Sequence, residues 1–482
     1  MSLLKDRGLL SLVVIFFLLL FLFGRPIVNG DGFGYFGIYR TLKTEQSVNT
    51  KYPEQFTNFA DWTYGHVWDD TYAPLYYHGS AMLWSPFLIV SDLIGETGLL
   101  SDFSDDYFNT YGVSIFEGMG ILIGTAILSL ISFYLIFLIL KRYFSENVSL
   151  LASFGIFFSN FLFFYTFIEP SNSHLPALSL ITVGLWLIHN RIIDLDQKNT
   201  YHDLINKLKE SEDSNWWILA GLIFGLSANV RIDSILIIAP FIIFLIYKRN
   251  LSVFIRVMAG IILGIIPMLI FSNNAYADPF ESGLSLFSYE APFSLKYFSV
   301  FKLLFSPIRG ILAWSPLVIF SIVGLILGVR RINIIKQISI YGLVTALSVL
   351  LFYSFWNNWW AGYSLGNRFF IVLYPVFVFG LANFINQMRL RRLKYLALFI
   401  VCIGILFSLT LTLGFVTYDN SNKDAPYYVK FKEPNIPDNY PNLLSEQYDV
   451  LDMYKAGVMH LTLNSLEIEF NDGGKSLMQL SR

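Results

Sequence analysis

Long apolar runs separated by short polar connections dominate the chain. The first run, Gly8–Gly24, follows Lys5 and Arg7 and ends in Gly24-Arg-Pro26 rather than at a small-residue cleavage pattern. It reads as a retained membrane anchor, with a signal peptide as the alternative. Further runs cover approximately 115–140, 150–168, 175–189, 216–230, 233–247, 252–272, 311–329, 338–355, 369–386 and 395–417. Several hold only about fifteen residues, short of the ~20 of an ordinary span, so they would tilt little or thin the bilayer locally. Between the first two runs lie about ninety polar and aromatic residues, and within them 73–90 mixes apolar and aromatic residues with Pro74 and Pro86. That segment reads as an interfacial or re-entrant element.

Basic residues support this map. With the N-terminus inside, Lys141, Arg142, Arg191, Lys198, Lys248, Arg249, Arg330, Arg331, Arg389 and Arg392 all fall in inner connections. The short outer connections carry only Arg231 and Arg368, which is the asymmetry expected of a membrane protein. The expected fold is all-α and polytopic, with about eleven transmembrane helices. A membrane domain covers 1–417 and includes a long first outer loop at about 25–114 that carries interfacial helices. The tail, 418–482, would be extracytoplasmic, as a small subdomain or a disordered segment, and the N-terminus cytoplasmic.

Composition narrows the function. Of 482 residues 55% are hydrophobic and 14% charged, which excludes an ordinary soluble domain. The net charge of −2 gives no footing for nucleic acid. Aromatics make up 17%, a share that suits membrane boundaries and sugar-binding or lipid-binding surfaces. The single cysteine, Cys402, lies in an apolar run. No Cys/His metal pattern, P-loop or dinucleotide fingerprint is present, so no cofactor and no essential metal are expected.

The chemistry concentrates in the outer connections. Asn29-Gly-Asp-Gly-Phe-Gly-Tyr35 leaves the first span, and Asp31 is the first carboxylate beyond it. Gly30, Gly32 and Gly34 would let another molecule approach the backbone. Asp31 reads as a catalytic base at the membrane surface, or as an acidic cap on the next helix. Tyr35 and Tyr39 would share one face of that helix. Asp69 and Asp70 precede the interfacial segment.

Arg231 and Asp233 stand on a connection too brief to leave the membrane surface, where a charge needs a partner or a watery cavity. They read either as a structural pair or as a site in which guanidinium meets a lipid phosphate. Trp359, Trp360 and Arg368 belong to an outer connection rich in Trp, Asn and Gly, which reads as an aromatic belt or as a sugar-shaped surface. Glu169 and His174 flank another outer turn. There Glu169 would be a second acid or a metal ligand, and His174 a structural or a substrate-binding group. Lys302 and Arg309 would steer an anionic headgroup or sit in solvent.

Taken together, the order and sidedness of Gly30-Asp-Gly32, the 73–90 segment, Glu169–His174, Val230-Arg-Ile-Asp233, Phe305-Ser-Pro-Ile-Arg-Gly310 and Trp359–Arg368 resemble the polytopic glycosyltransferases with the C-type fold. These include the protein mannosyltransferases and aminoarabinose transferases. Asp31 is not followed directly by glutamate, and no MIR-like domain is evident, so the substrate class stays open. The resemblance implies a polyprenyl-phosphate sugar as donor, and a glycan, lipid or protein hydroxyl as acceptor. Asp31 would be the general base of an inverting displacement, and Arg231 or Arg368 would offset charge on the leaving phosphate. The rival readings are a transporter or flippase for lipid-linked glycans and a non-catalytic envelope assembly partner. No transporter-like internal repeat is visible.

Overall fold

In the computed structural model, the described residues are 7–50, 66–68, 71–98, 112–192, 214–283, 293–331, 334–362, 364–388 and 390–418, with 451, 454, 466–468 and 478–480 beyond them. The longer helices, in order, are α1 (Arg7–Phe23), α2 (Asp31–Glu45), α3 (Gly79–Gly95), α4 (Ile115–Lys141), α5 (Glu146–Ser159), α6 (His174–Ile192), α7 (Trp216–Val230), α8 (Ile235–Tyr247), α9 (Leu251–Tyr276), α10 (Leu317–Val329), α11 (Ile334–Ser354), α12 (Tyr374–Gln387) and α13 (Arg391–Tyr418).

Among the described residues, five helical stretches are long and apolar enough to cross a membrane: Ile115–Lys141, Leu251–Tyr276, Ile334–Ser354, Arg368–Gln387 and Arg392–Val416. Shorter apolar helices at Leu10–Phe23, Gly79–Gly95, Trp216–Val230, Ile232–Tyr247 and Leu317–Val329 lie beside them. Phe17, Phe21, Ile243, Ile262, Phe399 and Leu406 point outward and exposed. A broad outward apolar surface of this kind suits a lipid solvent. The multi-pass membrane character read from the sequence therefore holds, while the count of about eleven spans exceeds the five long ones.

Two expected spans are broken. The run 150–168 ends as a helix at Ser159, turns through Phe161 at φ 60°, and resumes as a π-helix at Phe164–Ile168. The run 311–329 splits into Ile311–Trp314 and α10 around Ser315-Pro316. Pro316 has no N–H for an interior helical bond, so the chain re-starts there. The 73–90 segment becomes a strand end, a short loop and α3. In the first loop β1 (His66–Trp68) pairs antiparallel with β2 (Thr71–Ala73), and in the tail β3 (Leu466–Ile468) pairs with β4 (Met478–Leu480).

Two devices hold the site-bearing elements together. The close pair is α7 with α9: a Cβ at Gly225 would meet the Ile261 carbonyl at 2.3 Å, and one at Gly264 the Leu222 carbonyl at 2.4 Å. Only glycine permits that backbone approach. The second device starts at the capping box of α4, where Ser114 and Glu117 satisfy each other's backbone donors. Glu117 also takes both arms of Arg40 from α2, at 2.9 and 2.5 Å. The pair is almost enclosed, with side chains 11% and 9% exposed. A two-armed guanidinium–carboxylate contact fixes orientation as well as distance, so α2 is pinned against α4.

Candidate active site

The site begins where α1 stops. The Arg25 amide donates to the Phe167 carbonyl at 2.7 Å, and the Asn29 amide to Ser171 Oγ at 3.0 Å. Ser171 donates back to the Asn29 carbonyl at 3.3 Å. The connection 25–32 is thus stitched to the buried turn Ser171-Asn-Ser173. That turn is itself held by Thr125, which donates to the Pro170 carbonyl at 2.9 Å and accepts from Trp84 Nε1 at 3.0 Å.

The glycines serve this closure. Gly30, at φ 49°, is the N-cap of α2, so the cap is not Asp31, which begins the helix. A Cβ on Gly32 would fall 2.3 Å from Ser171 Oγ. The space expected for a second molecule at Gly32 is filled by the chain's own serine. Gly32→Ala is accordingly expected to cost about 1–3 kcal/mol of stability by overpacking and to displace Asp31, measured as a lower Tm together with reduced activity.

Asp31 is half-buried and held from two sides. Oδ2 meets Arg368 Nη2 at 2.9 Å, and Oδ1 accepts from the Tyr76 hydroxyl at 2.9 Å. The side chains of Arg368 and Asp31 are 16% and 31% exposed, so the pair lies at the edge of the protein and not in its core. Arg368 starts a short 3-10 turn, Arg368–Leu373, capped by Asn367, whose side-chain amide donates to the Trp359 carbonyl at 3.0 Å. Arg368 Nε has no acceptor among the described residues.

Beside this pair lies a second arginine. Arg231 Nε donates to Asp233 Oδ1 at 3.0 Å, its Nη1 to Ser173 Oγ at 3.2 Å, and its Nη2 to the Tyr353 hydroxyl at 3.0 Å. The Tyr353 hydroxyl in turn donates to Asp233 Oδ2. The Tyr353 ring stacks on Phe369 with centroids 4.1 Å apart and 3° between planes, so the neighbour of Arg368 in sequence abuts the partner of Arg231. Both arginines also act electrostatically on Tyr35 and His174. The two cations therefore share one neighbourhood with Asp31, a half-buried carboxylate. The Arg231–Asp233 pair exists, and its guanidinium keeps 16% exposure.

Other expected site residues lie in the walls. Tyr35 is buried, with its hydroxyl donating to Ser173 Oγ at 2.9 Å and its ring 4.8 Å from that of Tyr76. Burial, and then the Asp31 charge, push its phenol up to about 12, so it stays a neutral donor behind Asp31 and is not an open contact surface. His174 is buried at the start of α6 with its ring 6.2 Å from that of Phe369. Glu169 caps the π-helix and acts electrostatically on Arg368. Arg309 is buried, donates to the Ile308 carbonyl at 2.6 Å and lies over Trp314. Lys302 is exposed, 5.7 Å from the Trp359 ring centroid, and Trp359 meets Trp360 edge-on. Asp69 and Asp70 lie outside the described residues.

Tyr76, Ser173 and Tyr353 complete the site without having been singled out from the sequence. Each is an ordinary residue in an aromatic or serine-bearing stretch, and only its partner gives it meaning.

An apolar cleft of about 390 Å³ runs between helices away from the charges, towards Leu140, His189 and Ile334 at the other ends of α4, α6 and α11. Ile237, Phe241, Tyr341, Val344, Val372 and Phe379 help to line it. Ile237 follows Asp233 by about one turn, as Val372 follows Arg368. Among the described residues no group of three His, Cys, Asp or Glu side chains has the arrangement to hold a metal ion.

Residues 106–276 match the family model described as dolichyl-phosphate-mannose-protein mannosyltransferase. Among solved structures the chain is similar to ArnT from Cupriavidus metallidurans bound to undecaprenyl phosphate, with a TM-score of 0.52, 10% identity, and coverage of 94% of this chain and 75% of that one. No curated protein matches it in sequence.

Proposed function

We propose that the protein transfers a hexosyl or pentosyl group from a polyprenyl-phosphate donor to an acceptor hydroxyl on the outer face of the membrane. One observation carries this reading: a half-exposed carboxylate and two arginines share one end of the bundle, and an apolar cleft that runs towards its other end begins at Ile237 and Val372, about one turn beyond Asp233 and Arg368. Arginine forks suit phosphate oxygens, and a cleft starting one turn below them suits an isoprenoid tail. The solved structure with the same fold carries undecaprenyl phosphate by its own description. The flippase reading gains no support from either match.

In the proposed reaction the acceptor oxygen forms a bond to the anomeric carbon from the face opposite the phosphate. The bond from that carbon to the phosphate oxygen breaks, and its electron pair leaves on the phosphate. The acceptor proton passes to Asp31 Oδ2. One displacement of this kind inverts the anomeric centre. Arg231 and Arg368 stabilise the growing phosphate charge, and fixed donors of this kind supply much of catalysis where water is scarce. Arg368 first has to exchange Asp31 for phosphate, which frees the base as the donor seats.

Purified protein given labelled polyprenyl-phosphate sugar and a mixed acceptor pool is expected to release free polyprenyl phosphate and a labelled product of inverted configuration. Lipid movement across vesicles without bond cleavage would contradict the proposal. Both oxygens of Asp31 face hydrogen-bond donors, Tyr76 and Arg368, which suits proton transfer without a metal. Activity is therefore expected to survive prolonged chelation with EDTA. Loss on chelation, restored by a divalent cation, would assign a metal role.

A further inference from the structure

The carboxylate of a general base has two oxygens, and only one of them takes the proton. Asp31 stands on the first turn of α2, where its side chain is free to rotate once Arg368 turns to a phosphate. One contact of Asp31 does not involve Arg368. The Tyr76 hydroxyl donates to Oδ1 at 2.9 Å.

Tyr76 sits on a rigid support. The segment Pro74–His78 precedes α3, and its ends are clamped: Tyr276 donates to the Pro74 carbonyl, and the His78 ring stacks on Phe271 at 4.6 Å. Gly79 leaves no room for a side chain against the Asn229 backbone. The Tyr76 ring packs against Tyr35, which Ser173 fixes in turn. The phenol is therefore held between a clamped loop and a buried ring, with its oxygen aimed at one carboxylate oxygen.

We propose that Tyr76 is a positioning residue for the base: it holds Oδ1 of Asp31 and so turns Oδ2, the oxygen now on Arg368, towards the acceptor hydroxyl. The proposal rests on the reading of Asp31 as the base. Burial, the Asp31 charge and the neighbouring Tyr35 push the Tyr76 phenol well above its ordinary value, so it donates throughout the working pH range. Near the base the other charged or titratable groups are Arg368, Arg231, Tyr35, Tyr165, Glu169 and His174. None of these groups is changed in the test below.

A hydrogen bond to the charged form of an acid lowers its pKa. Transfer fails below the pKa of a base, so the acid limb of kcat against pH reports Asp31. Tyr76→Phe is expected to raise that limb by about one pH unit and to lower kcat by up to about 100-fold, with donor KM little changed. A fluorinated tyrosine at position 76 keeps the shape, donates more strongly, and is expected to move the limb the other way. A purely structural Tyr76 would lower Tm or kcat and leave the limb in place in both proteins. That result overturns the proposal. Asp31→Asn separates the two layers. If that variant transfers sugar, the base assignment itself fails; if it is inactive while the limb stays fixed in both position-76 proteins, only the role of Tyr76 fails.

Discussion

Asp31→Asn is expected to lower kcat by about 100-fold to 10,000-fold, the usual share of a positioned general base. Asparagine keeps the size of the side chain and its hydrogen bond from Tyr76, yet cannot take the acceptor proton. The variant should still fold. The Asp31–Arg368 pair is partly exposed, and pairs of that kind contribute no more than about 1 kcal/mol. Its donor affinity should not fall, because Arg368 no longer has to exchange a carboxylate for the phosphate. The signature is thus a lost kcat with equal or lower donor KM. Full activity in the Asp31→Asn protein would remove the base from the account, and lost donor binding would make Asp31 a binding residue.

The second large effect is expected at Arg231. Its guanidinium satisfies Asp233, Ser173 and Tyr353 together, and Asp233 is only 4% exposed. Removing one partner of such a pair leaves an uncompensated charge, so Arg231→Ala should cost about 3–5 kcal/mol of stability in addition to any effect on the donor. Replacing both Arg231 and Asp233 by apolar residues of similar volume should restore much of the stability, since paired burial of charges gains little over good packing. The double variant should nevertheless bind donor weakly, with KM raised by about 10-fold to 100-fold for the loss of a charge-assisted contact. Thermal unfolding in detergent and donor titration separate the two effects. A restored Tm with an unchanged donor KM would reduce Arg231 to a structural role.

The sequence carried part of this site for a physical reason. A charge beside a membrane span is costly, so Asp31, Arg231, Asp233 and Arg368 stand out from apolar surroundings. Arg231 and Asp233 could be paired from the sequence because only Ile232 separates them. Asp31 and Arg368 could not, because they come from opposite ends of the chain and only the fold joins them. Tyr76 and Tyr353 were illegible, since tyrosines at membrane boundaries are ordinary and their roles lie in the hydroxyl partners. The break after Ser159 was hidden for a related reason: Phe161-Leu-Phe-Phe164 continues the apolar run, so hydropathy registers no interruption where the backbone turns. The clearest error concerned Gly32, where the sequence shows only the missing side chain and not the serine that occupies the space.

The central claim is that two arginines hold a lipid phosphate beside a base which the phosphate sets free. An experimental structure of the protein with polyprenyl phosphate bound tests it most directly. The account predicts phosphate oxygens within hydrogen-bond distance of Arg231 and Arg368, the Arg368–Asp31 contact broken, and the first isoprene units entering the cleft past Ile237 and Val372. A phosphate bound elsewhere, with Arg368 still closed on Asp31, would contradict it.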